Sequence, residues 1–403
     1  MNAAATTMER HRAWRGPALL SFGFRPFFLL GALWAALAMA LWVAMLAGKL
    51  TLPTAFDPVS WHAHEFLFGY LGAIIAGFLL TAVPNWTGRL PVTGWPLAGL
   101  VAAWLAGRVS VTLSQELSPL AVALTDLALT VALAALLGRE IVVGKNWRNL
   151  PVVGLLVVFG CANALYHWEA ASGAFAAQGM GLRLGLAAAL MMIAVIGGRI
   201  VPSFTRNWLA KQGEGRLPTP PMQSFDLAAL GVLLAALLVW VAAPFAAFTG
   251  IALGLAGLVH LARMARWAGD RTFAEPLVLV LHLGYVFVPL GALAAAAEIL
   301  GSGWVGAGSV QHLWMAGALG LMTLAVMTRA TLGHTGRALM AGRGTVAIYA
   351  AVICAVLARI GAGAWPGAAS PLHSLSGASW IAAFAGFVAL YGPMLLRPRQ
   401  AAG

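Results

Sequence analysis

Apolar runs of about twenty residues, each closed by a short polar or Gly/Pro-containing break, recur along the chain, and this length is what a helix needs to cross the hydrocarbon of a bilayer. Twelve such runs lie near 24–48, 59–84, 96–114, 117–138, 149–168, 180–202, 225–243, 245–266, 276–300, 309–332, 344–363 and 378–396. In lipid a backbone has to satisfy its own hydrogen bonds, so apolar runs of this length become helices. The pattern predicts an all-α polytopic membrane protein of about 12 transmembrane helices. The longest break, Pro202 to Ser224, holds Gly213, Gly215, Pro218, Pro220 and Pro221 and reads as a loop. The expected organisation is a single transmembrane domain over 1–403, with a tail at 1–23, a twelve-helix bundle at 24–396 and a second tail at 397–403.

Composition agrees with this reading. The chain is 61% hydrophobic and 9% charged with a mean hydropathy of +0.87, far more apolar surface than one water-soluble core hides. The 16 Trp and 47 Gly suit interfacial anchoring and close helix packing. Cys161 and Cys354 sit apart in apolar runs, which argues against a disulfide framework or a thiolate metal site. Residues Met1 to Leu20 carry Arg10, Arg12 and Arg15 without a signal-peptide core.

The net charge of +12 changes the picture only through its placement. Arg and Lys gather in alternate breaks, from Arg89 through Lys145, Lys211 and Arg271 to Arg337 and Arg397, whereas the other breaks hold little beyond Lys49, Arg108 and Arg359. This is an orientation signal and not a nucleic-acid surface, and it predicts both termini in the cytoplasm, on the inner side of the membrane. An even number of spans agrees.

That topology gives each histidine a depth. Asp57 as N-cap and Pro58 at the first helical position open the second span, so His62 and His64 fall in its first two turns at the outer face. His312 and His167 are also outer, and His373 belongs to the outer loop before the last span. His260, His282 and His334 lie toward the cytoplasm, and His11 is in the tail. Two residues apart on a helix, His62 and His64 point about 200° apart and cannot share one metal. Glu65 falls on the His62 face at i, i+3 spacing, placed to orient that imidazole. A lone intramembrane histidine serves as an interhelical strut about as often as a ligand. His11 and His373 are expected to be solvated, and His260 to join the inner interfacial belt. Asp126, mid-span, needs a partner or a function; its bland reading is a protonated acid bonded to Ser or Thr. Arg108 and Arg183 either snorkel or hold haem propionates.

Several segments carry a family resemblance. Trp61-His-Ala-His-Glu65, Gly77-Phe-Leu-Leu-Thr-Ala-Val-Pro-Asn-Trp-Thr-Gly-Arg89, Gly197-Gly-Arg-Ile-Val-Pro-Ser-Phe-Thr-Arg-Asn-Trp208, His282-Leu-Gly-Tyr285 and the run from Met322 to Arg337 resemble the signature of the NnrS family. The resemblance extends from Phe24-Arg-Pro-Phe27 to the last helix. It implies a bacterial membrane protein containing haem and copper, tied to denitrification and to relief of nitric oxide and nitrosative stress. Carried over, the family-like histidines are His62, His64, His282, His312 and His334, with His167 beside them.

The chain is also distantly similar to the catalytic subunits of haem-copper oxidases and nitric oxide reductases, in its twelve-helix core and in the places of His62 and His312. It departs from them in having no histidine in spans six and seven. The resulting expectation is haem b near the outer face, with His312 on one side and His62 or His64 on the other. A second metal site would use His282 and His334, near Tyr285 and Arg329. Glu65, Asp126 and Tyr285 are the candidate proton-handling residues. Nitric oxide is the expected ligand, and a quinol or cytochrome the electron donor. Two other readings follow from the same histidines: a transporter or exporter of a metal, haem or nitrosylated metal complex, and a sensor without turnover.

Overall fold

The computed structural model describes residues 14–89, 91–301, 303 and 306–400, so His11 lies outside the described residues. Every regular element among them is helical. Twelve long helices stand where the apolar runs predict them: α1 Phe24–Leu46, α2 Pro58–Thr87, α3 Trp95–Thr112, α4 Pro119–Val143, α5 Leu150–Ala171, α6 Met180–Leu209, α7 Ser224–Ala242, α8 Ala247–Ala265, α9 Pro276–Ile299, α10 Ala307–His334, α11 Arg343–Ala364 and α12 Ala369–Leu396. Eleven are long and apolar enough to cross a membrane, and α3, which carries the buried Arg108, is the remaining one. The chain is a multi-pass, all-α integral membrane protein.

Helix α4 shows how the pattern becomes a fold. Val122, Asp126, Leu129, Leu133 and Leu137 form its buried stripe, while Leu120, Leu124 and Val131 face outward. In water that outer face would be a defect; in lipid it is the solvent-matched side.

Three helices break the regular geometry. Each of α2, α6 and α10 contains a π-helical segment, at Glu65–Tyr70, Ile193–Gly197 and Leu313–Leu321 respectively. Such widened turns re-aim side chains and expose carbonyls, and they concentrate at functional sites.

Two sequence expectations are corrected. The break beginning at Pro202 is helical as far as Leu209, because a proline within a membrane helix leaves groups that its neighbours can satisfy. His373 lies in α12 and not in a loop, since that helix starts at Ala369. The capping of α2 is as expected: Asp57 Oδ1 accepts from the Val59 and Ser60 amides at 3.0 Å.

The chain forms two compact units. The first takes in α1 to α5, the start of α6 through Gly185, Ala330–Ala338 and the chain from Phe384; the second takes in Leu186–Arg329 and Leu339–Ala383. In the first unit, fully buried Arg25 ties α1 to the end of α12, donating to the carbonyls of Leu395 at 2.8 Å and Arg397 at 2.7 Å. Both carbonyls lie at or just past the last turn of α12, where the helix supplies no partner. Arg25→Met is expected to lower stability by about 2–3 kcal/mol, seen as earlier proteolysis after Phe384 and a lower unfolding midpoint.

Candidate functional site

The first unit encloses a polar cluster built from five helices. The first turns of α2 supply His64 and Glu65, α3 supplies Arg108, α4 supplies Asp126, and α5 supplies Asn163 and His167. A tryptophan of α1, Trp34, completes it. His64 and Glu65 are fully buried, and Arg108, Asp126, Asn163 and His167 are nearly so.

Arg108 is the centre of charge. Nη1 donates to both oxygens of Glu65 at 2.7 Å, and Nη2 pairs with Asp126 Oδ1. The Asp126 Oδ2 atom accepts from Asn163 Nδ2 at 2.7 Å and lies 3.0 Å from His167 Nε2 and 3.1 Å from His64 Nε2. Because the Asn163 amide nitrogen faces a carboxylate, its carbonyl oxygen faces His64 Nε2, at 3.0 Å. On the other side of the ring, His64 Nδ1 lies 3.1 Å from Glu65 Oε1. Trp34 Nε1 donates to Glu65 Oε2 at 2.7 Å.

Three of these groups converge as metal donors do. One atom each of His64, Asp126 and His167 lie within 4.8 Å of one another, so the three could hold a metal ion. Two imidazoles and a carboxylate are a donor set for zinc, copper or non-haem iron. A metal about 2.0–2.2 Å from each donor spaces neighbouring donors by about 3–3.5 Å. The observed 3.0 and 3.1 Å fit that spacing. Glu65 on the far nitrogen of His64 is the outer carboxylate that commonly fixes a metal-binding imidazole.

The structure corrects three expectations about these groups. Glu65 partners His64 and not His62, because the helix passes into π geometry at Glu65 and loses the i, i+3 alignment. Arg108 neither snorkels nor reaches for a propionate; two buried carboxylates hold it. Asp126 is bound to Arg, Asn and His instead of to Ser or Thr.

The remaining predicted residues stand elsewhere. His62, on the opposite side of α2, stacks on Trp42 at 4.5 Å and touches Phe66 at 4.7 Å. His334 packs between Phe22 and Phe24, at 5.6 and 5.4 Å. Arg183 donates to the Gln178 carbonyl at 2.6 Å.

In the second unit His282 Nε2 meets Thr205 Oγ1 at 2.8 Å, and Arg329 lies over the Phe204 ring at 4.2 Å. Tyr285 belongs to a separate buried network. Its hydroxyl lies 3.0 Å from His260 Nδ1 and accepts from Arg263 Nη1 at 2.9 Å. Arg263 also binds Asp226 at 2.8 Å and the Ala194 carbonyl, in the π segment of α6, at 3.1 Å. Since His260 Nε2 faces the Ala229 carbonyl at 3.1 Å, it carries the hydrogen, and the tyrosine donates to Nδ1. His260 is therefore an interior group and not part of an interfacial belt. His312 Nδ1 donates to the Gly308 carbonyl at 2.6 Å.

Sequence reasoning did not find Asn163, whose only signal is a polar residue one helical turn before His167 on an apolar span. The profile of one protein family, described as NnrS protein, matches residues 18–399. No curated protein matches the chain.

Proposed function

The chain belongs to the NnrS family, and on that premise we propose that it acts in nitric oxide and nitrosative-stress defence in a bacterial inner membrane. The reading is that nitric oxide is bound or reductively turned over at a histidine-ligated metal. The observation that carries the metal assignment is the convergence of His64, Asp126 and His167 within 4.8 Å in a buried setting. Copper is the first candidate there, with iron fitting the same donors. Haem b is the second cofactor in this reading, and His312, whose Nδ1 donates to the Gly308 carbonyl, is the histidine assigned to it.

A redox metal supplies one electron at a time and a coordination position for nitric oxide. The protein supplies the rest. Arg108 grips Asp126 through Oδ1, which aims Oδ2 at the two imidazoles. Both ring nitrogens of His64 face acceptors, so both carry hydrogen, and a metal held at Nε2 would replace the proton there. Glu65 accepts the other proton, on Nδ1, and is itself held by Trp34 and Arg108. Electrons would come from a quinol or a cytochrome.

The test is elemental and optical analysis of detergent-purified protein with and without nitric oxide. His167→Ala is expected to lower the copper or iron content at least tenfold, because it removes a ligand outright, while His62→Ala leaves that content within a factor of two. Equal metal content in the two variants would sink the site assignment. Consumption of nitric oxide that depends on an added electron donor separates turnover from binding.

A further inference from the structure

The rings packed around the His64 cluster take no part in its network of carboxylates, and one of them comes from outside the helices. Phe56 stands in the connection from α1 to α2, just before the Asp57 cap. Its ring centroid lies 5.5 Å from that of His64 and 5.7 Å from that of His167, so one side chain covers both imidazoles of the candidate metal site. Tyr166, 6.2 Å from Phe56 and 5.5 Å from His64, is the neighbouring wall. Its hydroxyl donates to the Ser60 carbonyl at 2.8 Å, which leaves the ring to meet the histidine. Phe68 closes His64 from a further side, at 5.4 Å.

Exposure shows where the cluster comes nearest to the outside. His64 and Tyr166 are fully buried, whereas Phe56 keeps 8% of its surface and His167 keeps 6%. At Phe56 the two imidazoles lie one side chain below the molecular surface.

The backbone that carries this ring is fastened. Thr54 Oγ1 donates to the Val111 carbonyl at 2.9 Å, the Ala55 amide donates to Ser114 Oγ at 2.8 Å, and the Gln115 amide donates to the Pro53 carbonyl at 3.2 Å. The Phe56 amide donates to Thr54 Oγ1 at 3.3 Å. These bonds tie the segment to the end of α3, and the Asp57 cap ties it to α2. The segment is therefore held in place, and the motion left to it is rotation of the Phe56 side chain, which is fast at a surface edge. A rotating ring opens a narrow gap. An ion entering between aromatic walls loses its water without new partners, whereas a neutral diatomic molecule has little hydration to lose.

We propose that Phe56 is the gate of the His64 site and determines what reaches a metal there: neutral diatomic ligands pass the ring, and bulkier or charged ones are held back. This rests on the metal assignment above and gives that site a ligand class, to which nitric oxide belongs.

Full-length protein purified in detergent is loaded with copper, reduced, and mixed with carbon monoxide or with tert-butyl isocyanide, two neutral ligands of Cu(I) that differ in bulk. Wild type is expected to bind carbon monoxide, read by its infrared band, and to bind the isocyanide at least tenfold more slowly than Phe56→Ala does. The carbon monoxide rate changes less than threefold in that variant, and its copper content is unchanged because Phe56 is not a ligand. Phe56→Leu keeps an apolar side chain over the imidazoles and gives an intermediate isocyanide rate, which carries the test should the alanine variant fail to fold. Isocyanide rates that are equal in wild type and the smaller variants at full copper content overturn the gate and leave the metal assignment standing. A wild-type protein that retains neither copper nor iron overturns both.

Discussion

Asp126→Asn is expected to strip the His64 site of its metal and to cost about 3–5 kcal/mol of stability, the usual penalty for removing one partner of a buried ion pair. The substitution keeps the shape and loses the charge. Oδ2 receives Asn163, His64 and His167, and Oδ1 receives Arg108, so an amide there puts two hydrogens against groups that already donate. A counter-ion role and a ligand role predict different rescues. Arg108→Met combined with Asp126→Asn leaves Glu65 held by His64 and Trp34, and should recover much of the unfolding midpoint because the unpaired cation is gone. It should not recover the metal. Thermal unfolding and elemental analysis of the same preparations decide it: metal restored together with stability would make Asp126 a counter-ion alone.

The twelve helices were legible because lipid imposes one rule on each of them, a length of apolar residues, and that rule is local. Even Pro58 and Asp57 could be placed in the sequence, since capping is also local. The site was legible in part. His64, Glu65, Asp126 and His167 stand out as polar groups in apolar runs, but which of them meet is decided by helix rotation. The π segment at Glu65–Tyr70 sets that rotation for α2. Nothing in the residues Glu65 to Tyr70 announces a turn bonded i to i+5, so the i, i+3 argument assigned Glu65 to the wrong histidine. Arg108 was misread for a related reason. A single arginine near a helix end snorkels by default, and only packing shows that two carboxylates await it inside.

The two units use the same economy with charge. In the first, one arginine joins Glu65 and Asp126; in the second, Arg263 joins Asp226, Tyr285 and the carbonyl that the π segment of α6 exposes at Ala194. An arginine fork serves several acceptors at once, which suits an interior where each unsatisfied group costs several kcal/mol. The first cluster adds two imidazoles on one carboxylate oxygen, and that addition is what makes it a candidate for chemistry.

Gly69→Ala should be as damaging as the loss of a site residue, although glycine to alanine within a helix ordinarily gains about 0.5–1 kcal/mol. Gly69 lies in the π segment, and a Cβ there would fall on Arg108 Nη1 and within 2.8 Å of Glu65 Oε2. The backbone is tied on its other side, where the Gly69 carbonyl accepts from Trp104 Nε1 at 2.9 Å. The guanidinium is therefore the group that yields, and its departure leaves Asp126 and Glu65 without their cation, a loss of about 3–5 kcal/mol that outweighs the helical gain. Lysine at position 108 is slimmer at its tip and still charged, so Gly69→Ala with Arg108→Lys should unfold at a midpoint between Gly69→Ala and wild type. If the double variant is no more stable than Gly69→Ala, the cost lies in the π backbone itself, and the glycine is required by the turn instead of by the arginine.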